Sequence, residues 1–158
     1  MNAIPLSKTK IETKLAIIRE SLSELQSLVS KTNKESFVSS KDQTAIAEHY
    51  IRRALEAVFD IANHVLSRFP FSPGKRPFTY KEMAIALGDK GVVDKEFADR
   101  TLMKMAGYRN RLIHFYDEVT SEELFNVICD QLSDFDTFAK AIVKLINDPQ
   151  KLGLIIED

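Results

Sequence analysis

The chain has 158 residues, 44% of them hydrophobic and 28% charged, with a formal net charge of −1. That length suits a single domain, 1–158, large enough to bury about 68–70% of its unfolded surface, and the composition is ordinary for a soluble globular protein. The near-neutral charge excludes a global attraction for nucleic acid, so any contact of that kind must come from a local basic surface.

Glycine and proline number only 5 each, and no Asn-Gly or Asp-Gly pair marks a hairpin, which argues against β structure. A single cysteine, Cys129, excludes an intrachain disulfide and Cys-pair zinc motifs; it is expected as a small buried hydrophobe in the last helix. No apolar run approaches the roughly 20 residues of a membrane span. Met1 to Lys10 lacks a secretory apolar stretch and reads as a short frayed lead-in, so the expected location is cytoplasmic.

In chain order, Ile11, Leu15, Ile18, Leu22, Leu25 and Val29 step by fours and threes, the apolar stripe of a first helix. Lys31 to Ser40 is polar and reads as a connection. A long second helix is expected from Lys41 to about Phe69, with Ser40 or Asp42 as its N-cap. Ile46, Tyr50, Ala54, Ala57, Ile61 and Val65 form one stripe, and Ala47, Ile51, Leu55, Val58 and Ala62 an adjoining one. Only His49, Arg53, Glu56, Asp60, Asn63, His64 and Ser67 remain as a polar line. A helix apolar around most of its girth is central in a bundle or covered by a partner subunit.

Pro70 to Pro77 breaks the helix and carries Lys75 and Arg76. It is either a plain connector or a basic flap that touches phosphate. Thr79-x-x-Glu82 is a capping box opening a short helix that Gly88 is expected to close. Asp94 is the expected cap of the next helix, with Ala98, Leu102, Met105, Arg109, Leu112 and Tyr116 along one line. Thr120-x-x-Glu123 opens a last long helix to about Asn147, buried through Leu124, Ile128, Leu132, Phe135, Phe138, Ile142 and Leu145. Residues 151–158 extend or dock against the bundle. The sum is an all-α, largely antiparallel bundle of four to five helices.

The chemistry concentrates in Gly107 to Tyr116. Arg109 can fork onto a phosphate; His114, with an unperturbed pKa near ~6.5, can move a proton at working pH; Tyr116 adds a phenolic hydroxyl. An anion clamp and a proton-transfer group are the minimum for phosphodiester chemistry without a metal. Positions 109 and 114 diverge by roughly 140° on an ideal helix, with about 7.5 Å of rise between them. Either the helix breaks near the motif or a second copy supplies complementary groups; a homodimer is the favoured expectation.

Arg109-x4-His114-x-Tyr116, following Leu102-x-x-Met105-x-Gly107, resembles the signature of the HepT-type HEPN toxins. The apolar-stripe first helix, the run from Ala54-Leu55-Glu56-Ala57 through Asp60-Ile61-Ala62-Asn63-His64 in the second helix, and the Thr79-Tyr80 helix start are similar to family segments in family order. The resemblance implies a HEPN-like bundle that dimerises with its motifs facing one another, and a ribonuclease centre at Arg109 and His114. It also implies an RNA substrate and an MntA-type nucleotidyltransferase antitoxin that adenylylates Tyr116, in a homodimer or a larger hetero-oligomer with the antitoxin. No cofactor is expected.

Asn110 and Arg111 are expected either to contact RNA, to hold a loop, or to be solvated. Glu56 and Asp60 are solvated or support the motif. Asp60 and His64 have i, i+4 spacing, but no Glu-x-x-His pair recurs as a di-iron bundle needs, so no metal is assigned. The alternative from another class is a catalytically silent helical subunit that docks a nucleotidyltransferase or binds nucleotide.

Overall fold

The computed structural model describes residues 3–114 and 119–158. It is an all-α bundle built on α1 (Lys8–Ser30) and α3 (Lys41–Leu66), which pack along much of their length. Ser7 of the α1 start meets His64, and Lys14 about two turns on meets Asp60, so the two helices run antiparallel. The α1 stripe is buried through Ile11, Leu15, Ile18, Leu22 and Leu25, and both expected α3 stripes are inside from Ala47 onward except Tyr50, which is partly buried. Ile46 departs from this pattern at 46% exposure. Ser40 is the α3 N-cap, its hydroxyl accepting the Gln43 N–H at 3.1 Å.

Several expectations need correction. The N-terminal segment is no frayed lead-in: β1 (Leu6–Ser7) pairs in parallel with β2 (Ile156–Glu157), and Leu6 is fully buried. The C-terminal residues therefore dock, and the bundle contains a minimal two-stranded sheet. The polar stretch after α1 holds α2 (Lys34–Ser39), capped by Asn33, because Phe37 has an apolar site to fill. Helix α3 ends at Leu66 rather than near Phe69. Its last turn is held there by Ser67, whose hydroxyl donates to the His64 carbonyl at 2.6 Å, and by Arg68, whose Nε donates to the Pro5 carbonyl.

Helix α4 (Tyr80–Asp89) runs through Gly88. The left-handed residue that ends it is Gly91, at φ +78°. Gly88 serves close packing instead, since a Cβ there would lie 2.7 Å from the Ala98 Cβ. The last long helix is two helices, α7 (Ser121–Asp130) and α8 (Ser133–Asn147), broken at Gln131–Leu132. Cys129 is exposed on α7, because the buried line there is Leu124 and Ile128.

The motif helix is one helical run of three parts. A short α5 (Lys95–Phe97) leads through a π-helical turn at Ala98–Leu102 into α6 (Met103–His114). Asp94 precedes it without a side-chain capping bond. The π turn adds a residue to the register, and Ala98, Leu102, Met105 and Leu112 stay on the buried side.

Candidate active site

Helix α6 ends, within the described residues, at His114. Arg109, Asn110 and His114 line one open groove of about 560 Å³ with Asp60 and Asn63 of α3 and with Phe78, Thr79, Tyr80 and Met83 at the α4 start. Spacing explains part of this. Asn110 and His114 are four apart and share a helix line, while Arg109 sits one step round from Asn110. The groove follows that flank, so a guanidinium and an imidazole some 140° apart in projection open onto the same space.

The Arg109 side chain is half-buried, and its guanidinium carbon stands 4.2 Å from the centroid of the Tyr80 ring. Tyr80 is backed by Phe59 at 5.0 Å. The Arg109 Nε is buried with no hydrogen-bond partner among the described residues. A guanidinium lying on an aromatic face keeps the N–H groups at its edge directed outward, which suits it to grip an anion. His114 is exposed at the groove mouth.

The other candidates fall in different places. Asp60 lines the groove and pairs with Lys14 at 2.9 Å. Glu56, one turn earlier, is exposed and outside the lining. Arg111 turns to the opposite side of α6, where it forks onto Glu123 of α7 with contacts of 2.7 and 2.9 Å. The pair joins α6 to α7. Lys75 and Arg76 are exposed beside a neighbouring shallow groove with Phe71, Glu82 and Asp89, on the far side of Pro77. Tyr116 lies outside the described residues.

His64 corrects the polar-line reading of α3. It is only 6% exposed, and its Nε2 accepts the Ser7 backbone N–H at 3.0 Å. Burial, then the charges of Arg68 and Lys10, lower its pKa from 6.5 to about 4. The neutral ring is thus a fixed acceptor for the N-terminal segment, not half of an Asp60–His64 ligand pair. Among the described residues, no group of three or more His, Cys, Asp or Glu side chains is placed to hold a metal ion.

Tyr80, Phe78 and Asn63 join the groove without having been singled out as site residues. The capping box placed Tyr80 at the first position of α4, but its pairing with Arg109, 29 positions on, is a tertiary event with no local signal.

Comparison with known proteins bears on the same stretch of chain. The family model for ribonuclease HepT-like proteins matches residues 18–142. A tRNA nuclease HepT from Aphanizomenon flos-aquae is 30% identical over 132 residues, spanning 84% of this chain and 86% of that one. An mRNA nuclease HepT from Shewanella oneidensis is 28% identical over 92 residues, 58% of this chain and 66% of that protein. Among solved structures, the tri-AMPylated Shewanella oneidensis HEPN toxin in complex with MNT antitoxin superposes with a TM-score of 0.70. Its identity is 24%, with 85% of this chain and 97% of that chain covered, a likeness of fold. With residues 18–142 matched by the family model and a HepT relative 30% identical over 84% of this chain, the chain belongs to the HepT-like ribonuclease family.

Proposed function

We propose that this HepT-like ribonuclease is a metal-independent endoribonuclease and the toxin half of a toxin–antitoxin pair. The observation that carries the reading is the opening of Arg109 and His114 onto one groove at the end of α6. In that reading, the imidazole takes the proton of an RNA 2′-hydroxyl, whose oxygen attacks the adjacent phosphorus. The 5′-oxygen leaves with a proton from an acid, and a 2′,3′-cyclic phosphate remains. The outward N–H groups of Arg109 hold the non-bridging oxygens as charge builds on them. One imidazole cannot sit on both sides of the phosphorus, so we place the acid in a second copy facing the first, in a homodimer.

The names of the two nuclease relatives support RNA as the substrate class, and the antitoxin complex supports a nucleotidyltransferase partner. Adenylylation of Tyr116 by that partner is the proposed silencing step. An added phosphate puts negative charge two residues beyond His114 and bulk into the RNA path. The chemistry needs no cofactor, and the cytoplasm holds both substrate and partner.

The test is cleavage of tRNA and mRNA in chelator by wild type, His114→Ala and Arg109→Ala. Both variants are expected to remain folded dimers and to lose cleavage by roughly 10²–10⁴-fold, the usual loss for a positioned proton-transfer group. Undiminished cleavage by His114→Ala removes the assignment. A wild type that binds a nucleotidyltransferase but cuts nothing marks the silent subunit instead. Mass spectrometry after co-expression with the antitoxin should find AMP on Tyr116.

A further inference from the structure

Phe78 is 88% exposed, on the lip of the groove that holds Arg109 and His114. Its position makes that exposure unusual. Thr79 is the N-cap of α4, so Phe78 precedes the cap and Met83 is the fourth helical residue. Those are the two positions that pack together in a hydrophobic staple. Here Met83 is buried in the core while the Phe78 ring stands away in solvent. The backbone is held, because the Phe78 N–H donates to the Glu82 carboxylate at 2.8 Å and Thr79 caps the helix at 3.1 Å. The ring is therefore presented on a fixed stem.

What it meets is indicated by its surroundings. The groove beside it is lined by the polar side chains Asp60, Asn63, Thr79, Asn110 and His114 and by the less exposed Phe59, Tyr80 and Met83, so Phe78 is the one strongly exposed apolar group among its described lining residues. A single exposed aromatic face beside a groove of mixed polar and aromatic lining suits a flat ring with polar edges better than an apolar helix or a subunit core. Cations flank it on both sides in sequence: exposed Lys75 and Arg76 before, and exposed Lys81 after. Glu82 is occupied by the loop backbone. An exposed aromatic among cations, lining the same groove as a phosphate clamp, is the pattern of a single-strand stacking platform.

We propose that Phe78 stacks on an unpaired nucleobase of the bound RNA, next to the phosphate held by Arg109. Lys75, Arg76 and Lys81 meet the flanking phosphates. This rests on the ribonuclease reading above and adds to it a residue that selects single-stranded over paired RNA. Phe78 positions the substrate and takes no part in bond breaking.

The experiment uses full-length protein and two readouts. In the first, wild type, Phe78→Leu and Phe78→Trp cleave bulk tRNA. Phe78→Leu is expected to raise KM by about 5- to 150-fold, the range for losing one stacked base, while kcat changes little; Phe78→Trp restores KM. In the second, a single-stranded oligonucleotide carrying 2-aminopurine is bound by the His114→Ala protein. Its fluorescence should be quenched, and the quenching should be lost when Phe78→Leu is added. Unchanged KM and unchanged quenching overturn the proposal. So does dissociation of the dimer by Phe78→Leu in sedimentation, which makes the ring a subunit contact. Absence of cleavage by wild type speaks against the ribonuclease reading alone, since the quenching arm still reports stacking.

Discussion

The Arg109 guanidinium rests on the face of Tyr80, 4.2 Å from the ring centroid, and that ring in turn packs at a tilt against Phe59, 5.0 Å between centroids. Three side chains from α3, α4 and α6 thus form a stack that ends in the charged group. The Nε is buried without a hydrogen-bond partner among the described residues, and a guanidinium seated on a ring face keeps its edge N–H groups directed towards an incoming anion. A guanidinium fixed before substrate arrives loses less entropy on gripping a phosphate than a solvated one.

The first prediction follows from that stack. Tyr80→Leu removes the aromatic face and leaves the charge, so Arg109 samples more directions. A cation–π contact of about 0.5–2 kcal/mol corresponds to a roughly 2- to 30-fold fall in kcat/KM for RNA cleavage. Tyr80→Phe keeps the face and should fall far less. Equal losses in the two variants would show that the hydroxyl, not the ring face, is what matters.

The second concerns Arg111, which shares the motif but not the groove. Its fork onto Glu123 ties the end of α6 to the first turn of α7, where Thr120 accepts the Glu123 N–H at 3.1 Å. In the usual capping box the glutamate returns to the cap; here its carboxylate goes to Arg111. Both side chains are about one-third exposed, 36% and 34%, so solvent screening keeps the pair near the surface range of about 0.2–1 kcal/mol. Arg111→Ala and Glu123→Ala should therefore lower Tm by similar small amounts, and the double variant should lose less than their sum. An RNA-contact role predicts a different result, with Arg111→Ala weakening RNA binding and Glu123→Ala leaving it intact.

How much of this was legible in the sequence depends on the range of the cause. The stripes of α1 and α3, the Ser40 cap and both Thr-x-x-Glu boxes are local signals, and they place the helices that carry the groove. The motif spacing and the family resemblance picked out Arg109 and His114. Phe37 was hidden by its polar neighbours, since one buried ring gives no period. The π turn has no compositional signature. The partners of Tyr80 and His64 lie 29 and 57 positions away, so no window of sequence could have revealed them.

The third prediction uses His64. In the folded chain its pKa is lowered to about 4, against 6.5 when unperturbed, because burial and the nearby Arg68 and Lys10 disfavour the imidazolium. A base with a lowered folded pKa binds its proton more readily in the unfolded chain. Its contribution is therefore complete above pH 6.5 and is lost as pH falls from there towards about 4. Protonation also removes the acceptor for the Ser7 N–H. His64→Ala leaves that donor unmet, at about 1–3 kcal/mol. The Tm gap between wild type and His64→Ala should be wide at pH 7.5 and narrow at pH 4.5. A gap that stays constant with pH would show that His64 contributes by packing alone.

The last prediction tests the joint between α4 and the π turn that leads into the motif helix. Gly88 lies inside α4, where alanine has the better helix propensity by about 1 kcal/mol. A Cβ there would nevertheless stand 2.7 Å from the Ala98 Cβ and 3.4 Å from the Lys95 Cα. Ala98 has no longer side chain to swing aside, so the two backbones must separate. Overpacking of this kind costs about 1–3 kcal/mol, enough to outweigh the gain in propensity. Gly88→Ala should lower Tm, and a second change, Ala98→Gly, should recover part of the loss by removing the opposing methyl. Because α4 carries Tyr80 and the π turn leads to Arg109, the same displacement should open the stack and reduce cleavage more than the stability loss alone explains. If Gly88→Ala is neutral or stabilising, the close approach of these two helices is not what selects glycine there.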